Sequence, residues 1–494
     1  MELEEVSIAQ LQSRMAGGEF SARQLAEAYL ERIDQIDRHG PMLRSIIEVN
    51  PHALEIADGL DRERVQGTVR GPLHGIPIVI KDNIDTADCM QTTAGSLALL
   101  GTPVANDAPV AGRLREAGAV LLAKTNLSEW ANFRSTRSSS GWSGRGRQTR
   151  NPFVLDRSPG GSSSGSGVAV SANLCAAALG TETDGSIMSP CSASGIVGIK
   201  PTVGLTSRQG VIPISHSQDS VGPHARTVAD AATVLSAIAE SGTNYCQFLD
   251  PHALQGARIG VARKFHSGYS EHTDRVFDHA LDVLRECGAE LIDEIEIPGH
   301  AQLRAKDNAD DVTSEGLILQ YEFKADLAAY LAGRPDSSIR SLADLIRFNE
   351  DHAADEMPYF RQELLEKSDA RGPLTDERYV QAVASGATFA RGFAAMFAER
   401  KFDALVAPTN APAWTIDLFD GDHHLGGSSQ AAAVAGFPLI TVPAGFVADV
   451  LPIGLTFMGP ALSEPTLIKL AYAFERADPV RRAPRFVTTT LDLP

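Results

Sequence analysis

The sequence lacks the long apolar runs, the excess of positive charge and the paired cysteines that mark several classes of protein. No apolar run reaches the roughly 18–20 residues that cross a bilayer, so we expect no membrane-spanning helix. The 44 basic residues face 62 acidic ones, which gives a formal net charge of −18. Such a surface repels phosphate backbones, so we expect no nucleic-acid partner. The five cysteines include no C-x-x-C pair, which argues against a disulfide framework and a structural zinc site.

The first twelve residues also lack the basic and then apolar pattern of a secretory signal. We therefore expect a cytoplasmic protein, although an exported form whose signal had been removed would have the same sequence. The chain does contain 43% hydrophobic residues over 494 positions, which is ample for a large core. Nothing in the composition selects an oligomeric state.

Short β-branched runs alternate with helical patterns, which is typical of an α/β fold. Ser21 and Gln24 form a capping box at the start of a helix that we expect to continue to residue 33. The runs 76–80 and 119–122 predict buried strands, and a helix is predicted between them over 109–117. Further strands are predicted over 257–261, 291–295, 404–407, 439–442 and 453–457, and a closing helix over 466–475.

The pattern along the chain suggests one domain over residues 1–494, built from four parts. Residues 1–70 form an N-terminal helical part, and residues 70–245 form the core that carries the motifs described below. Residues 246–400 are more polar, variable and rich in helical patterns. Residues 401–494 return to buried strands and a helix that complete the core.

The most biased segment, residues 158–167, consists of glycine, serine and one proline. A flexible linker would have this composition. However, the small apolar residues from Gly167 to Gly180 predict a buried helix or strand directly after it, and a linker rarely leads straight into a core. The segment also matches the G-x-S-x-G nucleophile elbow around Ser163, but Pro159 and Gly160 exclude the strand that must precede such an elbow. A serine esterase that uses Ser163 remains an alternative.

A nucleophilic serine needs a base, and histidine is the usual one. His74 and His216 are the nearest histidine candidates, although a structural role fits each of them better. Lys81 is the other candidate, because it ends the apolar run 76–80, and a core strand therefore places its amine at the strand's carboxyl end. Burial there lowers the pKa of a lysine, as base catalysis requires.

One loop contains residue types that can bind metals. Asp420, Asp422, His423 and His424 lie among glycines, and we interpret them as part of a solvated surface loop. We therefore expect neither a metal ion nor a cofactor.

Three segments in order carry a resemblance to a known family. They are Gly75-Ile-Pro-Ile-Val-Ile-Lys-Asp-Asn83, Ser158-Pro-Gly-Gly-Ser-Ser-Ser-Gly-Ser166 and Gly180-Thr-Glu-Thr-Asp-Gly-Ser-Ile187. Together they resemble the amidase signature family, and the similarity extends from about residue 5 to residue 480. The same family resemblance includes the segments Gly198–Thr202, Gly436–Gly445 and Leu451–Leu455.

The resemblance implies a fold and a set of catalytic residues. The fold is a large, mixed, twisted β-sheet that is covered on both faces by helices. Lys81 matches the family's catalytic lysine, Ser162 its bridging serine, which the family holds in a cis peptide, and Ser186 its nucleophile. Ser186 follows a loop of small residues and is expected to begin a helix.

Backbone N–H groups at such a helix start can stabilise the oxyanion of a tetrahedral intermediate. The sequence therefore predicts an oxyanion hole formed by the N–H groups of Thr183, Asp184, Gly185 and Ser186.

Three positions depart from the common family pattern. Asp184 replaces the first glycine of Gly-Gly-Ser-Ile-Arg, Met188 replaces its arginine, and Glu182 stands where aspartate is common. These choices, with the segments Asn126–Phe133 and Gly141–Ser143, are most similar to the peptide amidase branch.

The branch implies a serine hydrolase that cleaves carboxamides to acid and ammonia through a Ser-Ser-Lys relay. C-terminal amides of peptides or amino acids are the expected substrates, and the reaction needs no cofactor. One alternative is the amidase-fold subunit of a tRNA-dependent amidotransferase, against which Asp184 and Met188 argue. Another is a general aliphatic or aryl amidase or esterase.

Overall fold

Eleven strands form one mixed sheet in the computed structural model, which describes residues 1–101, 103–307 and 311–492. Residues 102, 308–310 and 493–494, which the predicted parts of the chain include, lie outside the described residues. With the two strands of a separate ribbon, β9 and β10, the strands of the described residues are β1 (Ile46–Val49), β2 (Pro77–Lys81), β3 (Val120–Thr125), β4 (Ala177–Glu182), β5 (Val197–Lys200), β6 (Ser220–Ala225), β7 (Arg258–Val261), β8 (Glu290–Ile292), β9 (Lys306–Asp307), β10 (Val312–Thr313), β11 (Ala404–Pro408), β12 (Leu439–Val447) and β13 (Leu451–Met458).

Helices cover both faces of this sheet, so the fold is the α/β architecture that the family resemblance predicts. The helices are α1 (Ile8–Ala16), α2 (Ala22–Arg32), α3 (Ala53–Val65), α4 (Pro109–Glu116), α5 (Ser164–Ser171), α6 (Met188–Ala193), α7 (Val228–Ile238), α8 (Glu271–Glu286), α9 (His300–Leu303), α10 (Ser314–Ala332), α11 (Leu342–Asp351), α12 (Ala353–Glu356), α13 (Glu363–Asp369), α14 (Glu377–Arg400), α15 (Gln430–Ala435) and α16 (Glu464–Ala477). No helix among the described residues is long and apolar enough to cross a membrane.

The order of the sheet is β1-β3-β2-β4-β6-β5-β12-β13-β11-β7-β8, and β9 pairs with β10 in a separate ribbon. Strand β2 runs parallel to both of its neighbours, β3 and β4. Strands β7, β8 and β11 form a second parallel group, while the intervening pairs are antiparallel. The sheet is therefore mixed, and the parallel group around β2 is fully buried.

Local sequence signals account for the best-predicted elements. The Ser21 hydroxyl accepts the Gln24 N–H at 3.2 Å, and the Gln24 side chain accepts the Ser21 N–H at 2.9 Å, so α2 begins at the predicted capping box. Strands β2 and β3, helix α4 between them and the closing helix α16 all lie within three residues of their predicted bounds.

One predicted strand differs from the structure at its edges. Strand β8 covers Glu290–Ile292 rather than 291–295, and it pairs in parallel with β7. The glycine- and serine-rich segment is not a linker, as the buried pattern after it indicated, because helix α5 begins inside it at Ser164 and all eight residues of α5 are buried. Tertiary burial thus overrides the weak helix propensity of glycine and serine.

Candidate active site

The carboxyl ends of the parallel strands β2 and β4 bring polar residues together at one end of the sheet. Because parallel strands share a direction, their carboxyl ends lie side by side. Lys81 is the last residue of β2, and Thr181 and Glu182 are the last two residues of β4. The loops that follow β4 and precede α5 carry the serines that the sequence singled out.

Lys81 is completely buried, and its amine contacts three hydroxyl groups. The Nζ atom lies 2.8 Å from Ser162 Oγ, 3.0 Å from Ser163 Oγ and 2.8 Å from Thr181 Oγ1. The Asn83 side-chain amide also donates to Thr181 Oγ1 at 3.0 Å and so holds that hydroxyl in place. The peptide bond between Gly161 and Ser162 is cis, as the family resemblance predicts.

The environment of Lys81 favours the neutral amine. Burial lowers the pKa of Lys81 from 10.5 to about 7, and the nearby carboxylates of Asp219 and Glu182 only partly oppose this shift. Near neutral pH, a large fraction of the lysine therefore has a free lone pair. Lys124 and Lys200 are also fully buried, but their amines contact backbone carbonyls and, for Lys124, Thr92.

Ser186 lies on the loop that follows β4, next to this cluster. The Ser163 N–H donates to the Ser186 carbonyl at 3.1 Å, which joins the two serine-bearing segments. Gly185 has a φ of +77°, a left-handed conformation that side chains rarely adopt. Among the described residues, the N–H groups of Asp184, Gly185 and Ser186 find no acceptor, so all three are free to donate to a ligand.

Glu182 and Asp219 anchor this loop. The Glu182 carboxylate accepts the N–H groups of Ile187 at 2.7 Å and Met188 at 2.9 Å. The Thr183 hydroxyl donates to Asp219 at 2.6 Å. Helix α6 begins at Met188, so the prediction that Ser186 begins a helix is wrong. Because Glu182 binds the N–H groups of the first turn, Ser186 is left in the turn before the helix.

A cavity of about 300 Å³ opens beside the loop, and its wall includes Gly161, Asp184 and Gly185. Trp414 and Asp422 close another part of the wall. Among the described residues that line the cavity there is no lysine or arginine. The cavity therefore suits an uncharged or cationic ligand better than an anionic one.

The prediction of a solvated surface loop is wrong for Asp422, because this part of the loop is not wholly solvated. The carboxylate accepts the Ser140 N–H at 3.0 Å and the Trp414 indole N–H at 2.9 Å, and burial raises the pKa of Asp422. Asp420 and His423, by contrast, are exposed as predicted. Trp414 lies only eight residues before Asp422, but Ser140 lies 282 residues before it, so no local pattern could reveal the Ser140 contact.

The two histidine candidates lie elsewhere. His74 contacts the Leu60 carbonyl at 3.0 Å, and His216 contacts Asp326 at 3.0 Å. A histidine that the sequence analysis missed, His224, lies against Gly180, and a Cβ atom on that glycine would meet its ring at 2.3 Å. Burial and the neighbouring Lys81 lower the pKa of His224 to about 3, so this ring stays neutral.

Known proteins match this chain along nearly its whole length. The sequence matches the Amidase family over residues 24–468. A probable amidase of Arabidopsis thaliana is 41% identical over 505 residues, covering 98% of this chain and 92% of that protein. The crystal structure of the native peptide amidase from Stenotrophomonas maltophilia is 48% identical with a TM-score of 0.91, covering 98% of this chain and 99% of that chain. A glutamyl-tRNA(Gln) amidotransferase subunit from a Synechococcus species is 34% identical over 491 residues, covering 95% of this chain and 91% of that protein.

Proposed function

This chain belongs to the amidase family and is an amide-hydrolysing enzyme, and from that premise we propose that it converts the C-terminal amides of peptides to acid and ammonia. The contact of 2.8 Å between Lys81 Nζ and Ser162 Oγ, in a buried site beside the Ser186 loop, carries the proposal. The similarity to the Stenotrophomonas peptide amidase supports the substrate class.

Lys81 is the base of the proposed mechanism. With its pKa lowered to about 7, the neutral amine accepts the hydroxyl proton of Ser162. Ser162 in turn accepts the hydroxyl proton of Ser186. The Ser186 Oγ then attacks the amide carbonyl carbon, and a new C–O bond forms.

The free N–H groups of Asp184, Gly185 and Ser186 stabilise the resulting oxyanion. Together with the Thr183 N–H they form the proposed oxyanion hole. In a water-poor site such donors lower the barrier by about 3 kcal/mol each. The Gly185 backbone conformation supports this role, because it lets successive N–H groups turn toward one side of the loop.

Collapse of the intermediate breaks the C–N bond. The leaving nitrogen takes a proton from Ser162, which Lys81 reprotonates, and departs as ammonia. Water then attacks the acyl-enzyme ester, with Lys81 and Ser162 again acting as the base. The peptide acid dissociates, and the Ser186 hydroxyl is restored. Atoms and charges balance without a metal or a cofactor.

The cavity favours this substrate over the glutamine used by an amidotransferase subunit. Free glutamine carries a carboxylate, which proteins usually bind with arginine or lysine. The described lining offers Asp184 and Asp422 instead, and no lysine or arginine. A peptide amide has no carboxylate at the reacting end and fits such a wall.

The predicted cytoplasmic location stays a prediction.

A serine esterase centred on Ser163 is less well supported. Ser163 is completely buried, and its hydroxyl donates to the Thr181 carbonyl at 2.9 Å. Its contacts with Lys81 and Thr181 instead support a role in holding the lysine amine in place.

The test combines an activity assay with covalent labelling. The purified chain alone should release ammonia from an N-acetylated dipeptide amide, and Ser186→Ala should lower kcat/KM at least about a thousandfold. Ser163→Ala serves as the matched control and should keep measurable activity. A fluorophosphonate probe should label the peptide that contains Ser186. Activity of Ser186→Ala within tenfold of the wild type, or labelling of Ser163 instead, would contradict the assignment.

A further inference from the structure

One irregular loop, residues 214–219, contacts both helix α10 and the loop that carries Ser186. It contains neither a helix nor a strand. At its end, the Asp219 carboxylate accepts the N–H groups of Ile214 at 2.9 Å and Ser215 at 3.0 Å. The N–H groups of the next two residues donate to carboxylates on α10. Because such a segment must find its hydrogen bonds outside regular structure, three carboxylates determine the shape of the 214–219 loop.

Glu322 of α10 makes the most extensive of these attachments. Its side chain is completely buried, and one oxygen accepts the Ser215 hydroxyl at 2.5 Å and the Ser217 N–H at 3.1 Å. The other oxygen accepts the hydroxyls of Ser217 at 2.5 Å and Tyr379 at 2.8 Å. A buried carboxylate is costly unless hydrogen bonds satisfy its oxygens. These four donors satisfy both oxygens and so fix the 214–219 loop on the helix.

His216 provides a second attachment to α10. Its N–H donates to Asp326 at 2.7 Å, and its ring Nδ1 lies 3.0 Å from the same carboxylate. The ring Nε2 lies 3.3 Å from Glu322 Oε1. The His216 side chain is 40% exposed, whereas Glu322 is completely buried, so solvent weakens the histidine contacts more than those of the glutamate.

The far end of the 214–219 loop holds the residue that precedes the free N–H groups of Asp184–Ser186. The Thr183 hydroxyl donates to Asp219 Oδ1 at 2.6 Å. The Gln218 side-chain amide donates to the Thr183 carbonyl at 3.3 Å and to Glu315, in the first turn of α10, at 3.0 Å. Two consecutive residues of the loop therefore hold Thr183 by both its side chain and its backbone.

We propose that Glu322 is a positioning residue of the hydrolysis reaction, which fixes the 214–219 loop on α10 and thereby holds Thr183 and the N–H groups after it in the arrangement that binds the oxyanion. Glu322 acts through the loop, since it is not among the described residues that line the cavity. The inference rests on the proposed function, because it requires these N–H groups to bind the oxyanion.

Glu322→Ala should lower kcat more than it changes KM. The substitution removes three hydrogen bonds to the 214–219 loop and one to Tyr379. A displacement of about 1 Å among groups that act in the transition state can cost about a hundredfold in rate. We therefore expect kcat to fall at least about tenfold, while KM stays within about threefold because the cavity wall keeps its residues.

Glu322→Gln is the conservative variant that should restore kcat. Its side-chain oxygen can accept the Ser217 N–H, and its NH2 group can donate to hydroxyls that rotate to accept. The 214–219 loop then stays attached although the negative charge is lost. We expect kcat of this variant to lie within about threefold of the wild-type value.

The acid limb of kcat/KM provides a readout that general destabilisation would not move. The charged groups that face Lys81 are Asp219 and Glu182, which raise its pKa, while the nearby His224 ring stays neutral. A loosened Asp219 raises that pKa less, so the acid limb of Glu322→Ala should move to lower pH. In Glu322→Gln the limb should keep its wild-type position. In an Asp219→Asn background, Glu322→Ala should add no further shift.

Glu464→Ala is the matched control. Glu464 is another buried carboxylate, on α16, and it accepts the Thr202 N–H at 2.6 Å, away from the 214–219 loop. This variant should keep the wild-type kcat and acid limb. If Glu322→Ala does not fold, Ser215→Ala combined with Tyr379→Phe removes two of the four hydrogen bonds and should lower kcat at least about threefold.

Hydrogen–deuterium exchange of the backbone N–H groups at 214–217 needs no activity. It should be faster in Glu322→Ala than in the wild type and in Glu322→Gln. If the wild type hydrolyses no amide, the proposed function fails, while the exchange rates still decide whether Glu322 holds the loop. If amides are hydrolysed, an unchanged kcat in Glu322→Ala or in the double variant would overturn the inference alone. A loss in Glu322→Gln as large as in Glu322→Ala, or an equal change in Glu464→Ala, would do the same.

Discussion

Acidification should stop the reaction by protonating Lys81. The amine lies within hydrogen-bond distance of Ser162, Ser163 and Thr181, and no carboxylate among the described residues contacts it directly. Its pKa of about 7 means that about half of the enzyme has a neutral lysine at that pH. The neutral fraction falls to about a tenth one pH unit lower and to about a hundredth two units lower. The value of kcat/KM should fall in the same proportion.

The assay follows ammonia release from an N-acetylated dipeptide amide, so that the substrate does not titrate. The Asp219 carboxylate raises the pKa of Lys81, so removing this negative charge should lower that pKa. The acid-side decline of kcat/KM should then move to lower pH. Asp219→Asn is therefore expected to remain active at a more acid pH than the wild type, relative to its own plateau. Asp230→Asn is the matched control, since this buried carboxyl interacts with Arg226 and the Ile8 N–H.

The reasoning would be refuted by a base that is not Lys81. If Lys81→Ala kept near wild-type activity with the same acid limb, another group would accept the proton. A wild-type kcat/KM that stays constant over the two pH units below about 7 would also contradict the assignment of Lys81 as the base. A lysine with a pKa of about 7 must be mostly charged over that range. An acid limb that moves upward in Asp219→Asn would contradict the assigned electrostatics.

Further outcomes are expected from substitution and from solution conditions. Lys81→Arg should be inactive, since arginine stays charged at any working pH. Lys81→Met should also be inactive but at least as stable as the wild type in urea at pH 7, because the lowered pKa of Lys81 costs folding about 5 kcal/mol. That cost is full below about pH 7 and disappears as the pH rises toward 10.5, so the advantage of Lys81→Met should shrink at alkaline pH. Chelators should leave the rate unchanged, and a loss that zinc restores would show a metal site. Because Asp184 and Asp422 line the cavity, amides of peptides that end in lysine should have a higher kcat/KM than amides of peptides that end in glutamate. Asp422→Asn should make this difference in kcat/KM smaller. Equal kcat/KM values for the two substrates would contradict the role given to the acidic residues of the cavity wall.

The part of the site that the sequence predicted comes from short, contiguous motifs. Lys81 ends an apolar run, and Ser162 and Ser186 lie in biased segments, so each has a local pattern that indicates its place. Their roles stay a proposal, but the structure does bring Lys81 and Ser162 into contact. The strand and helix patterns around them have the same local origin, which is why β2, β3 and α4 were predicted well.

The missed residues reach the site through long-range packing. Asp219, Glu315 and Ser429 come from three separate stretches of chain, and none has a pattern in its own neighbourhood. His224 lies on β6, a strand whose sequence Ser-Val-Gly-Pro-His-Ala has little β character. Burial between two neighbouring strands, rather than propensity, makes it a strand. Such contacts depend on the assembled sheet and have no counterpart in the linear sequence.

The order of strands in the sheet also affects how the chain acquires activity during synthesis. Strands β12 and β13 lie between β5 and β11, although they follow both in the chain. Until the ribosome has released residues up to about 458, β5 and β11 therefore each lack one of their two neighbours, and open strand edges promote aggregation. Ser429, whose hydroxyl donates to Asp184, lies directly before α15, in the segment between β11 and β12, so the loop around Ser186 completes its contacts late. A nascent chain should thus depend on chaperones until its last strands are made, and amidase activity should appear only after the sheet closes.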